Sequence, residues 1–193
     1  MLTASGSWEV DKRAMSRDDI VATAGVRDGK VEVLAPDGAR PKGPSVEALE
    51  MGILLEATPT VGLREESGAW RVDPGGPRRA SIVRAGIHAH VGVEAADADL
   101  IETVPANRER FPYGFGCGTD LMCEVVRDVA RRSSAINDPS DPRRYVRWPM
   151  LYHGDTVIEL WKPGAPERPL EGLLELYERG AIAHTPDHIT QPV

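Results

Sequence analysis

The chain has 193 residues, of which 41% are hydrophobic and 27% are charged, and its formal net charge at pH 7 is −7. This composition predicts one soluble globular domain of ordinary size, and the acidic balance argues against binding to nucleic acid or to anionic membranes. The two cysteines cannot form a disulfide framework and no apolar run approaches the length of a membrane span, so we expect a cytoplasmic protein.

The chain opens on a polar segment and a tight hairpin. Residues 1–18 are expected to be a poorly packed N-terminal segment, followed by a single domain over 19–193. The Asp28-Gly29 pair lies between two runs of alternating apolar residues, at 20–26 and 31–34. That arrangement predicts a β-hairpin with a two-residue turn.

A helix and a second hairpin are expected next. Ser45 is the expected N-cap of a helix over 46–56, whose apolar residues give a broad buried stripe. The second hairpin is expected over 59–72. The Pro-Gly-Gly-Pro run at 74–77 is the strongest turn signal in the chain and marks a candidate sub-boundary within the domain.

Residues 83–94 alternate between apolar side chains and a second set of residues: Arg84, Gly86, His88, His90, Gly92 and Glu94. A period of two over this length predicts a β-strand with one buried face. Two of the five histidines and a carboxylate therefore share the second face. Imidazole is the commonest metal ligand and acid–base group near neutral pH, so this strand is the first place to expect chemistry.

The C-terminal half predicts further short elements. They are a strand over 100–104, a loop over 105–119, a helix over 120–132 capped by Thr119 or Asp120, a loop over 133–144, a hairpin over 145–161 and a helix over 170–178. The apolar face of the 120–132 helix is expected to hold Leu121, Met122, Val125, Val126 and Val129. The whole pattern predicts an α+β fold with hairpin-rich antiparallel sheets and about three helices.

The first candidate site is a metal centre on the strand 83–94. Residues i and i+2 of a strand project side by side, so His88 and His90 can reach one cation, and Glu94 joins them only if the strand bends. The spacing His88-x-His90-x-x-x-Glu94 is similar to part of the first metal motif of the cupins, although only these seven residues match. The resemblance implies a divalent metal, zinc or iron. The alternative is a polar strand face whose histidines are solvent-exposed or hydrogen-bonded.

The second candidate site is the glycine-flanked Cys117, just ahead of the 120–132 helix. A helix N-terminus stabilises a thiolate, and Gly116 and Gly118 let backbone N–H groups face an oxyanion. The same geometry would bind a phosphate or a carboxylate. Cys123, by contrast, lies beside the apolar stripe of the helix and is expected to be a buried thiol.

A thiol at a helix start and a histidine on a strand also form the papain-like arrangement, with Cys117 as nucleophile and His90 as base. The string His90-Val91-Gly92-Val93, followed by Leu100-Ile101-Glu102, is similar to the histidine strand of NlpC/P60-type hydrolases. The polar residues that follow the catalytic cysteine in that family are missing, since Gly118 follows Cys117. No third, orienting residue can be assigned.

These observations favour a small enzyme that hydrolyses or transfers an acyl group of a small-molecule substrate. His88 or His90 would be the base or a metal ligand, and Cys117 the nucleophile or a further ligand. Arg108 and Arg110 would bind an anionic substrate. The alternative is a non-catalytic subunit of a larger assembly, either a homo-oligomer or a protein complex.

Overall fold

The computed structural model describes twelve stretches of the chain. They are 2–3, 20–34, 43–44, 47–89, 92–93, 98–105, 107, 109, 119–150, 154–169, 171–178 and 182–183. The helices are α1 (Ala48–Ala57), α2 (Asp120–Arg132), α3 (Ser134–Asn137) and α4 (Glu171–Glu178). The strands are β1 (Leu2–Thr3), β2 (Ile20–Arg27), β3 (Lys30–Leu34), β4 (Thr60–Glu66), β5 (Ala69–Val72), β6 (Arg78–Ser81), β7 (Val83–Ala89), β8 (Gly92–Val93), β9 (Ile101–Thr103), β10 (Tyr145–Met150), β11 (Gly154–Leu160) and β12 (Ile182–Ala183).

The predicted α+β class, with antiparallel-rich sheets and few helices, is confirmed. The strands form sheets in the orders β1-β2-β3, β5-β4-β6, β7-β11-β10-β9 and β12-β8. In the four-stranded sheet β11 pairs antiparallel with both neighbours, whereas β9 runs parallel to β10. A parallel pair needs a long crossover, which the segment holding α2 and α3 supplies. None of the helices in the described stretches is long and apolar enough to cross a membrane.

The four-stranded sheet is buried on both faces. The core on one face is made by α1 and α2 with alternate residues of β10 and β11, among them Val146, Trp148 and Ile158. The core on the other face is made by α4 with the intervening residues, among them Tyr145 and Val157. Because successive side chains of a strand point to opposite faces, β10 and β11 contribute residues to two separate cores.

The two N-terminal hairpins are confirmed, and their turns explain why they form. Asp28 and Gly29 have φ values of 50° and 70°, and Ser67 and Gly68 have φ values of 52° and 80°. A two-residue turn with positive φ at both positions matches the twist of the flanking strands. The 74–77 run lies inside one sheet, because β6, which follows it, pairs with β4.

Several boundaries differ from the expectation. Helix α1 begins at Ala48 with Glu47 as N-cap and no side-chain cap, so Ser45, which lies outside the described residues, is not the N-cap. Residues 134–137 form α3 inside the expected loop. Leu121 is 38% exposed whereas Cys123 is buried, because α2 packs on both α1 and the sheet and its buried stripe is centred further round the helix. Leu2–Thr3 pairs with β2, and the rest of 1–18 lies outside the described residues.

The predicted cap of α2 is confirmed, because the Thr119 hydroxyl accepts the backbone N–H of Met122 at 3.3 Å.

A buried carboxylate binds the start of α3. Glu102 of β9 accepts hydrogen bonds from the hydroxyl of Ser133, the N-cap of α3, from the Ser134 backbone and hydroxyl, and from the Ala135 backbone, at 2.6 to 3.1 Å. Burial alone would raise the pKa of Glu102, but these hydrogen bonds outweigh it and hold the pKa below its usual value.

Replacing Glu102 with glutamine is expected to lower the free energy of unfolding by about 2 kcal/mol, because one acceptor oxygen becomes a donor that faces other donors. Urea unfolding at neutral pH measures the loss. The E66Q variant, at an exposed position of β4, is the matched control and should stay close to the wild type. A loss in E102Q no larger than that in E66Q would contradict the role given to these hydrogen bonds.

Candidate functional site

A row of three side chains crosses the sheet beneath α1. His88 on β7 is paired with Thr156 on β11, and Thr156 is paired in turn with Trp148 on β10. Cross-strand partners point to the same face, so the three side chains lie next to one another. They face α1, on the side of the sheet that holds the larger core.

Glu50 of α1 lies over this row and completes a buried polar cluster, which consists of Glu50, His88, Trp148 and Thr156. Its side chain is 0% exposed. Oε1 of Glu50 accepts hydrogen bonds from Trp148 Nε1 at 3.0 Å and from Thr156 Oγ1 at 2.9 Å. Oε2 lies 4.0 Å from His88 Nδ1, and that same nitrogen is 2.9 Å from Thr156 Oγ1.

The environment of Glu50 favours its neutral form. Burial raises its pKa from 4.5 to about 7, and the hydrogen bonds from Thr156 and Trp148 offset only part of that rise. Among the described residues, Oε2 of Glu50 has no hydrogen-bond partner. A carboxyl group that exchanges its proton near neutral pH beside an imidazole is the kind of group found in acid–base sites.

For His88, the structure distinguishes a solvent-exposed side chain from a hydrogen-bonded one. The His88 side chain is only 8% exposed, because α1 covers this face. Gly86 permits the close approach, since a Cβ there would lie 2.6 Å from Cε of Met51. The solvent-exposed alternative is therefore wrong for His88, which is a buried, hydrogen-bonded histidine.

The other predicted site residues lie outside the described residues: His90, Glu94, Arg108, Arg110, Gly116, Cys117 and Gly118. Their catalytic, substrate-binding and metal-binding roles stay predictions. Within the described stretches, no group of three His, Cys, Asp or Glu side chains could hold a metal ion. Cys123 is a buried free thiol, and burial raises its pKa, so Cys123 is not an activated thiol.

A second buried charge lies on the opposite face of the sheet. The register between β7 and β11 shifts so that Ala85 faces Glu159 and Val83 faces Leu160, which leaves Arg84 unpaired in a β-bulge. The bulge turns Arg84 towards Glu159, with Nη1 3.5 Å from Oε1 and the two side chains 1% and 0% exposed. The guanidinium also stacks on Trp161, at 4.5 Å from the ring centre, and donates to the carbonyl of Pro166 at 2.6 Å.

Glu50 is among the residues that sequence reasoning missed. The apolar stripe alone predicts the helix, yet Glu50 belongs to the same buried face as Ile53 and Leu54. A carboxylate three and four residues before buried apolar positions is the signal that identifies it, because those positions share one side of a helix. Its partner across the fold could not be identified without the packing of α1.

Comparison with known proteins gives this chain no relatives: it matches no family model, no curated protein and no solved structure.

Proposed function

We propose that this protein is a small cytoplasmic enzyme that uses His88 for acid–base chemistry or metal binding in the hydrolysis or transfer of an acyl group. One observation carries the proposal. Glu50 is fully buried, has a pKa of about 7, and lies with Oε2 at 4.0 Å from His88 Nδ1. Buried carboxylates with so large a shift beside a histidine are concentrated at functional sites.

Two mechanisms use this histidine. In the first, His88 or His90 takes the thiol proton of Cys117, and the thiolate sulfur forms a bond to the acyl carbon as the leaving group departs with a proton. Water then cleaves the thioester and regenerates the thiol. In the second, His88, His90 and Glu94 would hold a zinc or iron ion, which would supply an activated water. Arg108 and Arg110 would pair with an anionic substrate in either case.

Two measurements on the purified protein distinguish these mechanisms. We expect either near-stoichiometric zinc or iron that disappears in a His88→Ala, His90→Ala variant, or a Cys117 thiol that iodoacetamide alkylates at least about tenfold faster than a free thiol below pH 7. A C123S variant assigns the alkylation to Cys117. Absence of metal together with an ordinary rate of alkylation would overturn the proposal.

A non-catalytic subunit of a larger assembly is the second candidate function. Large apolar side chains are exposed at Leu34 (56%), Leu55 (45%) and Leu174 (60%). In this second proposal, these side chains take part in a contact with another chain, either a second copy or a different protein, because the contact removes their apolar surface from water. Sedimentation equilibrium tests it: a monomer over the micromolar range would oppose self-association, and a concentration-dependent dimer would support it.

A further inference from the structure

The hydrogen bonds of the buried polar cluster have a defined direction. The indole N–H of Trp148 can only donate, and it donates to Oε1 of Glu50 at 3.0 Å. The Thr156 hydroxyl donates to the same oxygen at 2.9 Å. A hydroxyl has a single proton, so Thr156 donates its only proton to Glu50 and has none to donate to His88.

The direction of that hydrogen bond determines which ring nitrogen of His88 carries the proton. His88 Nδ1 lies 2.9 Å from Thr156 Oγ1, within hydrogen-bond distance. Because Thr156 has no second proton to give, its oxygen accepts here and Nδ1 donates. In the neutral imidazole the proton is therefore on Nδ1, and Nε2 carries the lone pair.

The ionised form of Glu50 fixes this direction. A carboxylate carries no proton, so both groups bound to Oε1 must donate to it. Those groups are the Trp148 N–H and the Thr156 hydroxyl. Thr156 then accepts from His88, and the test below is made at alkaline pH, where a carboxyl group is ionised.

We propose that Thr156 is a positioning residue that holds His88 in the Nδ1–H tautomer, so that Nε2 is the nitrogen that accepts a proton or binds a metal. The effect of this tautomer on catalysis rests on the proposed function, whereas the assignment of the tautomer does not rest on it. A histidine ligand or base is commonly fixed by a hydrogen bond to its other nitrogen, and loss of such a partner costs about 10- to 100-fold in activity or metal affinity. The hydroxyl of Thr156 is that partner, and Glu50 and Trp148 orient it in turn.

The test is the tautomer of His88, measured from two-bond ¹H–¹⁵N correlations of the full-length protein at about pH 8.5, where an ordinary imidazole is neutral. The H88N variant assigns the signals. We expect the Nδ1–H tautomer in the wild type and in T156S, which keeps the hydroxyl. In T156V, which keeps the side-chain shape but cannot accept a hydrogen bond, we expect a shift towards the Nε2–H tautomer.

A wild-type protein in the Nε2–H tautomer would overturn the proposal, and so would a T156V spectrum identical to that of the wild type. The wild-type spectrum alone decides the first point, even if T156V does not fold. If the tautomer is as expected but neither bound metal nor a fast-reacting Cys117 is found, the positioning role of Thr156 stands and the proposed enzyme function fails.

Discussion

Replacing Arg84 with methionine is expected to lower the free energy of unfolding by about 3 to 5 kcal/mol, because one member of a buried ion pair disappears and the other stays buried. The Arg84 and Glu159 side chains are 1% and 0% exposed. The variant also loses the hydrogen bond to the carbonyl of Pro166 and the stacking on Trp161. Urea unfolding followed by far-ultraviolet circular dichroism measures the change.

Two further variants separate the ion pair from the packing around it. The double variant R84M/E159L removes both charges of this pair and should recover much of the loss, since apolar residues of similar volume often replace a buried pair at little cost. The R71M variant removes an arginine that is 45% exposed and bonded to Glu167, and exposed pairs are worth about 0 to 1 kcal/mol. A loss in R84M no larger than that in R71M would contradict the buried-pair interpretation.

The bulge at Arg84 shows where an alternation pattern fails. Strict alternation along the sequence predicts that Arg84 lies on the same face as Gly86 and His88. The register shift between Glu159 and Leu160 breaks the alternation and places Arg84 on the α4 face instead. A bulge depends on pairing with another strand, so the residues of β7 alone contain no signal for it.

Turns and helix caps could be predicted from the sequence, because their conformation depends on the residues at those positions. The Asp28-Gly29 and Ser67-Gly68 turns adopt the positive φ values that hairpins require, and Thr119 caps α2 as its hydroxyl side chain predicts. These features depend on neighbours within a few residues. The parallel pairing of β9 with β10 joins residues far apart in the chain and could not be predicted from such signals.

The polar cluster around His88 could be predicted from the sequence only in part. His88 was identified from the alternation of residues 83–94, whereas Thr156, Trp148 and Glu50 come from three other elements that are distant in sequence. Thr156 and Trp148 are ordinary strand residues in an apolar setting. Their role arises only when three strands are in register and α1 brings a carboxylate above them.

The pH dependence of stability is the second large effect, and Glu50 is its source. Its pKa is about 7 in the folded protein and 4.5 as the reference for the unfolded chain. Between these values the folded state holds a proton that the unfolded state has released, so stability falls as pH rises, by about 1.4 kcal/mol per pH unit. The stabilisation of the folded state by neutral Glu50 is fully present below pH 4.5, and about 3 kcal/mol of the free energy of unfolding is lost once the pH exceeds about 7.

The E50Q variant isolates this contribution, because glutamine keeps a carbonyl oxygen for Trp148 and Thr156 but does not titrate in this range. Urea unfolding at several pH values between about 4.5 and 8 should show the wild type losing about 3 kcal/mol relative to E50Q. The E56Q variant, at an exposed position of the same helix, should follow the wild type. A constant difference between wild type and E50Q across this range would mean that Glu50 keeps one protonation state. Glu50 could not then exchange a proton near neutral pH beside His88, and the observation that carries the proposed enzyme function would be lost.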